Sequence, residues 1–247
     1  MTHADGNAQL RMRLERFQGR TVAVTGASGS LGQALLRQLH RCGAQLIALT
    51  SSSAPLTVLS AEGQPIPLEQ VCWRCGEEQD LQPLLSRCDV LVVNHGLNSH
   101  GDRSPAAVER SLEINALSSW RLLELFASLE PREQQREIWI NTSEAEIQAA
   151  VSPLYEISKR LVGQLLSLRS LDLAGPQLRI RRLVLGPFRS ALNPIGLMSA
   201  DFVAGEILRQ VSWNCGLVIV TPNPLTYLLM PISTLSRWLY FQAVSRP

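Results

Sequence analysis

Concentrated charge is the first thing missing from this chain. Its 247 residues carry a formal net charge of +2, with 18% charged side chains. No dense Lys/Arg run of the kind that binds nucleic acid is present, so no nucleic-acid partner is expected. Cysteine is sparse and scattered, at Cys42, Cys72, Cys75, Cys88 and Cys215. Cys72 and Cys75 form one CxxC, but no second Cys or His pair follows at zinc-finger spacing. The segment "VCWRC" reads as a strand, on which residues three apart point to opposite faces. No metal site is expected, and the cysteines read as reduced thiols of a cytosol-like compartment, which implies a cytoplasmic location. The first twenty residues lack the apolar stretch of a signal peptide. Leu10, Leu14 and Phe17 fall instead on one side of a short basic helix that would dock or fray. No Pro/Gly/Ser linker, repeat or low-complexity tract divides the chain, and 45% hydrophobic content is that of a folded protein. A single domain over 1–247 is expected, with an apolar C-terminal extension over 222–247.

What is present is an alternation. "TVAVT" is a short β-branched run ending abruptly in glycine, and the segment after it places Leu31, Ala34, Leu35 and Leu39 at helical spacing before Gly43. "QLIALT", "QVCWRC", "DVLVVNHG", "EIWINTS", "LRIRRLVLGPF" and "GLVIVT" supply six more strands. Helical patterns lie between several of them, including one long helix over "PAAVERSLEINALSSWRLLELFASLE" and another from about Pro153 to Leu173. Strands alternating with helices predict a parallel sheet of about seven strands covered on both faces, a doubly wound Rossmann-type α/β/α sandwich.

The first turn carries a phosphate-binding signature. "TGASGSLG" puts Gly26, Gly29 and Gly32 in a GxxGxxG frame between strand and helix. Such glycines let the backbone turn tightly and approach a pyrophosphate, whose charge lies against free N–H groups at the helix start. Thr25, Ser28, Ser30 and Leu31 belong to the same expected cradle. At the end of the second strand an acid would select NAD by bonding both ribose hydroxyls. Here "LTSSS" offers Thr50, Ser51 and Ser52 instead, hydroxyls able to bond a 2′-phosphate, so NADP is the preferred cofactor and NAD the alternative. In "VVNHG", Asn94 would brace the sheet and Gly96 would let the chain pass close to the adenosine. His95 has no partnered carboxylate or second histidine, and is expected to help shape this loop rather than to catalyse.

Tyr155 and Lys159 lie four residues apart in a run that reads as the start of a helix, which stacks phenol and ammonium on one face. A dehydrogenase built this way also needs a hydroxyl donor from a neighbouring strand. Thr142 lies thirteen residues before Tyr155. Matching the strand end "INTSE" favours Ser143, which is preferred, with Thr142 second. Glu144 follows directly, and an ionised carboxylate there would oppose developing negative charge.

Taken in order, "TGASGSLG", "DVLVVNHG", Asn115 in "LEINALSSW", "YEISK" and "LVLGPFRS" resemble the short-chain dehydrogenase/reductase superfamily from about Thr21 to Thr221. The resemblance implies a nicotinamide cofactor and hydride transfer between an alcohol and a carbonyl. It makes Tyr155 the proton donor or acceptor. Lys159 would lower the phenol's pKa and hold the nicotinamide ribose, and Asn115 would hold a water that relays protons to Lys159. Gly186, Pro187, Phe188 and Ser190 are carried over as cofactor contacts, with Ser190 in the place of the family's carboxamide-binding Thr. Three departures stand out. Ser30 occupies the middle-glycine place, giving the frame of the extended branch; "NHG" replaces "NAG"; and "GPFRS" replaces Pro-Gly followed by Thr. "NTSEAE", "SPLYEISKR", "NPIG" and "NPLTYLLMPI" look most like the dehydrogenase domain of cyanobacterial proteins labelled sterol desaturase/short-chain dehydrogenase. The four histidines, none in HxxxH or HxxHH order, exclude a desaturase half within this sequence.

The tail "PNPLTYLLMPISTLSRWLYFQAVSR" is markedly apolar, yet Pro231 and Arg237 interrupt it too soon for a confident membrane span. It would cover a substrate pocket, form a subunit interface in a homo-oligomer, or lie in a membrane surface. The leading expectation is an NADP(H)-dependent oxidoreductase acting on a small apolar alcohol or carbonyl. The alternative is a catalytically weak or inactive NADP(H)-binding sensor or scaffold, with peripheral membrane contact. An extended-branch epimerase is disfavoured, because little chain remains for the larger substrate domain of that branch.

Overall fold

The computed structural model describes Met12 and residues 15–244. Seven parallel strands form one sheet in the order β3-β2-β1-β4-β5-β6-β7: β1 (Thr21–Thr25), β2 (Gln45–Thr50), β3 (Glu69–Cys72), β4 (Val90–Val93), β5 (Arg136–Ser143), β6 (Leu178–Leu185) and β7 (Leu217–Val220). The helices are α1 (Ser30–Arg41), α2 (Gln82–Leu85), α3 (Pro105–Leu112), α4 (Ser118–Ser128), α5 (Pro153–Leu173), α6 (Ala200–Ser212) and α7 (Pro224–Val244). Strand order reverses at β1, so the crevice between the carboxyl ends of β1 and β4 is where an open α/β sheet binds its ligand.

Strand side chains alternate between two cores. Val22, Val24, Val90, Val92 and Trp139 pack with α1 and α6 on one face. Ala23, Leu91, Val93, Ile138 and Ile140 pack with α4 and α5 on the other. The expected fold class is therefore the observed one. Phe17 is fully buried and meets Trp139 edge-on at 5.7 Å; Leu10 and Leu14 lie outside the described residues.

Two elements depart from the periodicity reading. The third strand ends at Cys72 rather than Cys75. The long helix expected from Pro105 is broken by a π turn at Glu113–Leu117, where Asn115 turns inward. The apolar tail is a 21-residue helix with Pro231 inside it. Among the described residues, no helix is long and apolar enough to cross a membrane.

Candidate active site

The glycine loop is built for close approach. Gly26 has φ +61°, and a Cβ there would come within 2.9 Å of the His95 backbone. A Cβ on Gly32 would lie 2.3 Å from the Gly26 carbonyl oxygen, so the loop can fold back on the start of α1 only with glycine at that position. Ser28, Gly29 and Ser30 are exposed, whereas Leu31 is buried and anchors the helix. The N-cap, Gly29, provides no side-chain acceptor, and no acidic residue occupies the first turn. The first-turn amides of α1 therefore keep their positive end for an outside anion, and a dinucleotide pyrophosphate fits that donor set. Thr50 is buried and its hydroxyl reaches Ser28 Oγ at 3.4 Å, while Ser51 and Ser52 are exposed beside it.

Beside this loop, Thr25 organises the end of β4. Its Oγ1 accepts from the N–H of Asn94 (2.9 Å) and of His95 (3.2 Å). Its hydroxyl also lies 2.8 Å from His95 Nδ1 and donates to the Val92 carbonyl at 3.4 Å, so Thr25 links the imidazole to the end of β4. Burial, reinforced by the Lys159 charge, pushes His95 down to about 4. His95 is thus a neutral structural bridge, packed edge-on against Trp73 at 5.2 Å. Asn94 Oδ1 accepts from Asn141 Nδ2 at 3.1 Å, tying the glycine loop to β5.

Tyr155 is in the first turn of α5, which Pro153 opens, and Lys159 follows one turn on. Lys159 is 3% exposed; its Nζ donates to the Asn141 carbonyl at 3.0 Å and lies 5.7 Å from the Tyr155 ring centre. Burial brings Lys159 down to about 8, with the Glu146 charge acting the other way. The Tyr155 phenol is shifted up, by burial first and by the Glu144 charge, with the neighbouring Ser143 acting the other way. Asn115 does not contact Lys159 through its side chain. Its Oδ1 accepts from Leu97 N–H (2.7 Å), and its Nδ2 donates to the Leu97 carbonyl (2.8 Å) and to Ser158 Oγ (3.0 Å). It clamps the loop after Gly96 onto α5, between Tyr155 and Lys159.

Consecutive strand residues face opposite ways, so only one of Thr142 and Ser143 can address the phenol. Thr142 is buried and its hydroxyl donates to the Leu183 carbonyl at 3.2 Å; the Ser143 hydroxyl donates to the Leu185 carbonyl at 3.4 Å, and it is Ser143 that neighbours the Tyr155 phenol and lowers its pKa. Ser143 Oγ also accepts from Ala145 N–H at 3.2 Å, which holds the turn that follows. Glu144 opens that turn. Its Oε2 accepts from Thr221 Oγ1 (2.5 Å), just after β7, and from Thr226 Oγ1 (3.2 Å), in the first turn of α7. A Cβ on Gly186 would lie 2.3 Å from Thr221 Oγ1, so the bare glycine makes room for this clamp. Pro187 and Phe188 continue from Gly186; Ser190 Oγ accepts from Asn193 N–H at 3.2 Å within its own turn.

Sequence comparison agrees with this arrangement: residues 20–194 match the short chain dehydrogenase family. The chain belongs to that family. Monoglucosyldiacylglycerol epimerase of Synechocystis is 44% identical over 93% of this chain, and the chain spans 56% of that relative's length. A 3-oxoacyl-(acyl-carrier-protein) reductase of Rickettsia typhi is 34% identical over 34% of this chain and 35% of its own. The bulky-bulky ketone specific alcohol dehydrogenase of Comamonas testosteroni shares the fold with a TM-score of 0.76 and 16% identity, over 90% of this chain and 93% of its own. A short-chain dehydrogenase of Sphingobium yanoikuyae in complex with NADPH has a TM-score of 0.75 and 16% identity, over 91% of this chain and 96% of its own. The narrower sterol-desaturase label is not the name the Synechocystis relative carries.

Within this short-chain dehydrogenase site, two features escaped the motif reading. Lys159 is the chain's single lysine among 23 basic residues. A side chain whose charge can be tuned by burial is kept where a guanidinium, always charged and forked, would not serve. That count was available without a structure. The Glu144–Thr221–Thr226 clamp was not, since it joins residues far apart in sequence. The expected result of Ser143→Ala is a loss of turnover of about 10²-fold or more, the scale of removing one oxyanion-type donor. Thr142→Val should leave kcat nearly unchanged and cost stability instead; steady-state kinetics on both variants separates the two hydroxyls.

Proposed function

We propose that this chain is a nicotinamide-dependent oxidoreductase moving hydride at a carbinol or carbonyl carbon of an apolar-tailed substrate. NADP(H) is the preferred cofactor and the sugar ring of a glycosyl diacylglycerol the favoured substrate class. One observation carries the reading: Ser143, at the end of β5, neighbours the Tyr155 phenol and lowers its pKa, with the Lys159 ammonium 5.7 Å from the phenol ring centre.

The bound nicotinamide would supply or accept the hydride. The rest falls to the protein. Tyr155, kept protonated by burial and by the Glu144 charge, holds a proton ready for a carbonyl oxygen. Ser143 polarises that oxygen from the strand end. Lys159 provides the positive charge that favours the phenolate once the proton has gone. Asn115 is a positioning residue, fixing α5 against the loop after β4. NADP(H) is supported by the absence of an acid at the end of β2 and by the exposed hydroxyls of Ser28, Ser51 and Ser52. The NADPH bound to the Sphingobium relative points the same way.

The substrate class rests on the name of the Synechocystis relative, an epimerase acting on a glucosyl lipid. Epimerisation at a carbinol carbon is oxidation followed by reduction from the other face, which the same Tyr–Ser–Lys group can serve in both directions. An epimerase built on this frame is compatible with the Synechocystis relative's name. No specific observation favours a non-catalytic nucleotide sensor. The deciding experiment supplies the chain with NADP+ and monoglucosyl diacylglycerol in mixed micelles. It follows the near-ultraviolet absorbance of reduced nicotinamide and the sugar composition of the lipid. Reduced cofactor or an epimerised sugar headgroup is expected; neither product, with this lipid or with simple ketones and alcohols, would defeat the proposal.

A further inference from the structure

Helix α7 is inside out. Its sheet-facing side carries Thr226, Met230, Ser233, Thr234 and Arg237, mostly polar, while Leu225, Leu228, Ile232, Leu235 and Leu239 are between 53% and 59% exposed. The one charged residue of the helix, Arg237, is turned inward, where it feels the charges of Arg182 and Glu146. A surface helix of a globular protein has the reverse arrangement.

Three observations choose what covers this face. At 100° per residue the outward apolar arc, including Tyr227, Leu229, Trp238 and Tyr240, spans roughly 220° of the helix circumference. A partner helix packing along a seam would cover less than half of that arc and leave the remainder in water. The arc also carries no charge. Finally, the face begins at the active site: Thr226, in the first turn, bonds Glu144, the neighbour of Ser143. Val151 and Ile195, on loops at the same carboxyl edge of the sheet, are 105% and 87% exposed.

We propose that the outward face of α7 lies in the surface of a lipid bilayer and holds the chain on the membrane from which its substrate is drawn. The choice of a bilayer rests in part on the lipid-substrate reading above. With no basic residue in the arc, attachment is by apolar burial and is indifferent to lipid charge.

The test is flotation of the full chain with extruded vesicles of phosphatidylcholine, free of glycolipid and cofactor. The wild type is expected to float equally in about 0.1 M and about 0.5 M salt, since screening weakens only charge-driven attachment. The pair Leu228→Glu and Leu235→Glu should lower partition ~10-fold or more while leaving thermal stability and turnover of a water-soluble substrate unchanged. Bromine-labelled acyl chains should quench tryptophan fluorescence in the wild type and markedly less in Trp238→Phe, which retains the helix. A wild type that stays in solution, or a double variant that floats as well as the wild type, would overturn the proposal. So would a lipid-free dimer that the double variant converts to monomer, because a second copy would then own the face. Because these vesicles hold no substrate, floating without turnover would count against the proposed reaction alone.

Discussion

Replacing Tyr155 with Phe should lower kcat by about 10²–10⁴-fold, the range supplied by a positioned general acid or base, while the dissociation constant for NADPH stays within about twofold. Phe keeps the ring whose centre lies 5.7 Å from Lys159 and removes only the hydroxyl. The glycine cradle of Gly26, Gly29 and Gly32 lies on a different element and is untouched. Stopped-flow turnover and fluorescence titration of NADPH read the two quantities separately. Unchanged turnover in Tyr155→Phe would sink the enzymatic reading and leave a protein that binds nucleotide without using it. The pH profile carries a second check. Lys159, brought down to about 8 by burial, loses its charge as pH rises through that value, so support for the phenolate declines on the alkaline side. The same shift gives stability the opposite slope. Between about 8 and the ordinary lysine value of 10.5 the unfolded chain binds the extra proton, so folding is favoured increasingly as pH rises.

The largest stability effect is expected at the other end of β5. Glu137 is 3% exposed; its Oε2 accepts from Arg181 Nε (2.7 Å) and Trp139 Nε1 (3.0 Å), and its Oε1 from Arg16 (2.5 Å) and Arg20 (3.2 Å). Arg181 is itself fully buried, and it also donates to the Cys215 carbonyl and to Asn214 Oδ1. Burial alone would raise the Glu137 carboxyl, but the Arg181 hydrogen bond and charge, with Arg16, hold it down at about 2. Glu137→Leu leaves Arg181 without its counter-charge and should cost about 3–5 kcal/mol. For a chain of this size that is a drop of roughly 6–10 °C in Tm at neutral pH. Because the folded value lies below the ordinary 4.5, the stabilisation is complete above about 4.5 and is lost as pH falls toward about 2. The gap between wild type and variant should therefore narrow in acid. Adding Arg181→Leu should recover part of the loss, since a buried pair replaced as a whole by apolar groups is often neutral. Calorimetry on the three proteins measures this, and a Glu137→Leu Tm equal to wild type would refute it. Glu137 lies about 20 Å from Ser143 along the strand, so kcat of the folded variant should be unaffected.

Short-range regularities were legible in the chain itself. The alternation of β-branched runs with 3.6-residue patterns determined the parallel sheet, because strand and helix periods are properties of neighbouring residues. Gly26, Gly29 and Gly32 between a buried strand and a helix, and the four-residue step from Tyr155 to Lys159, were legible for the same reason. The tertiary structure decided what depends on which residues the winding brings together. It separated Ser143 from Thr142 by seating one hydroxyl beside Tyr155 and the other on the Leu183 carbonyl. It broke a continuous helical pattern at Glu113–Leu117 so that Asn115 could grip Leu97. It placed Thr221 and Thr226 on Glu144, and Arg181 on Glu137, across separations no local pattern records. It also turned the polar side of α7 inward. The tail's composition showed only that it was apolar; which side met the protein was set by the hydroxyls and carboxylates waiting at the end of β5.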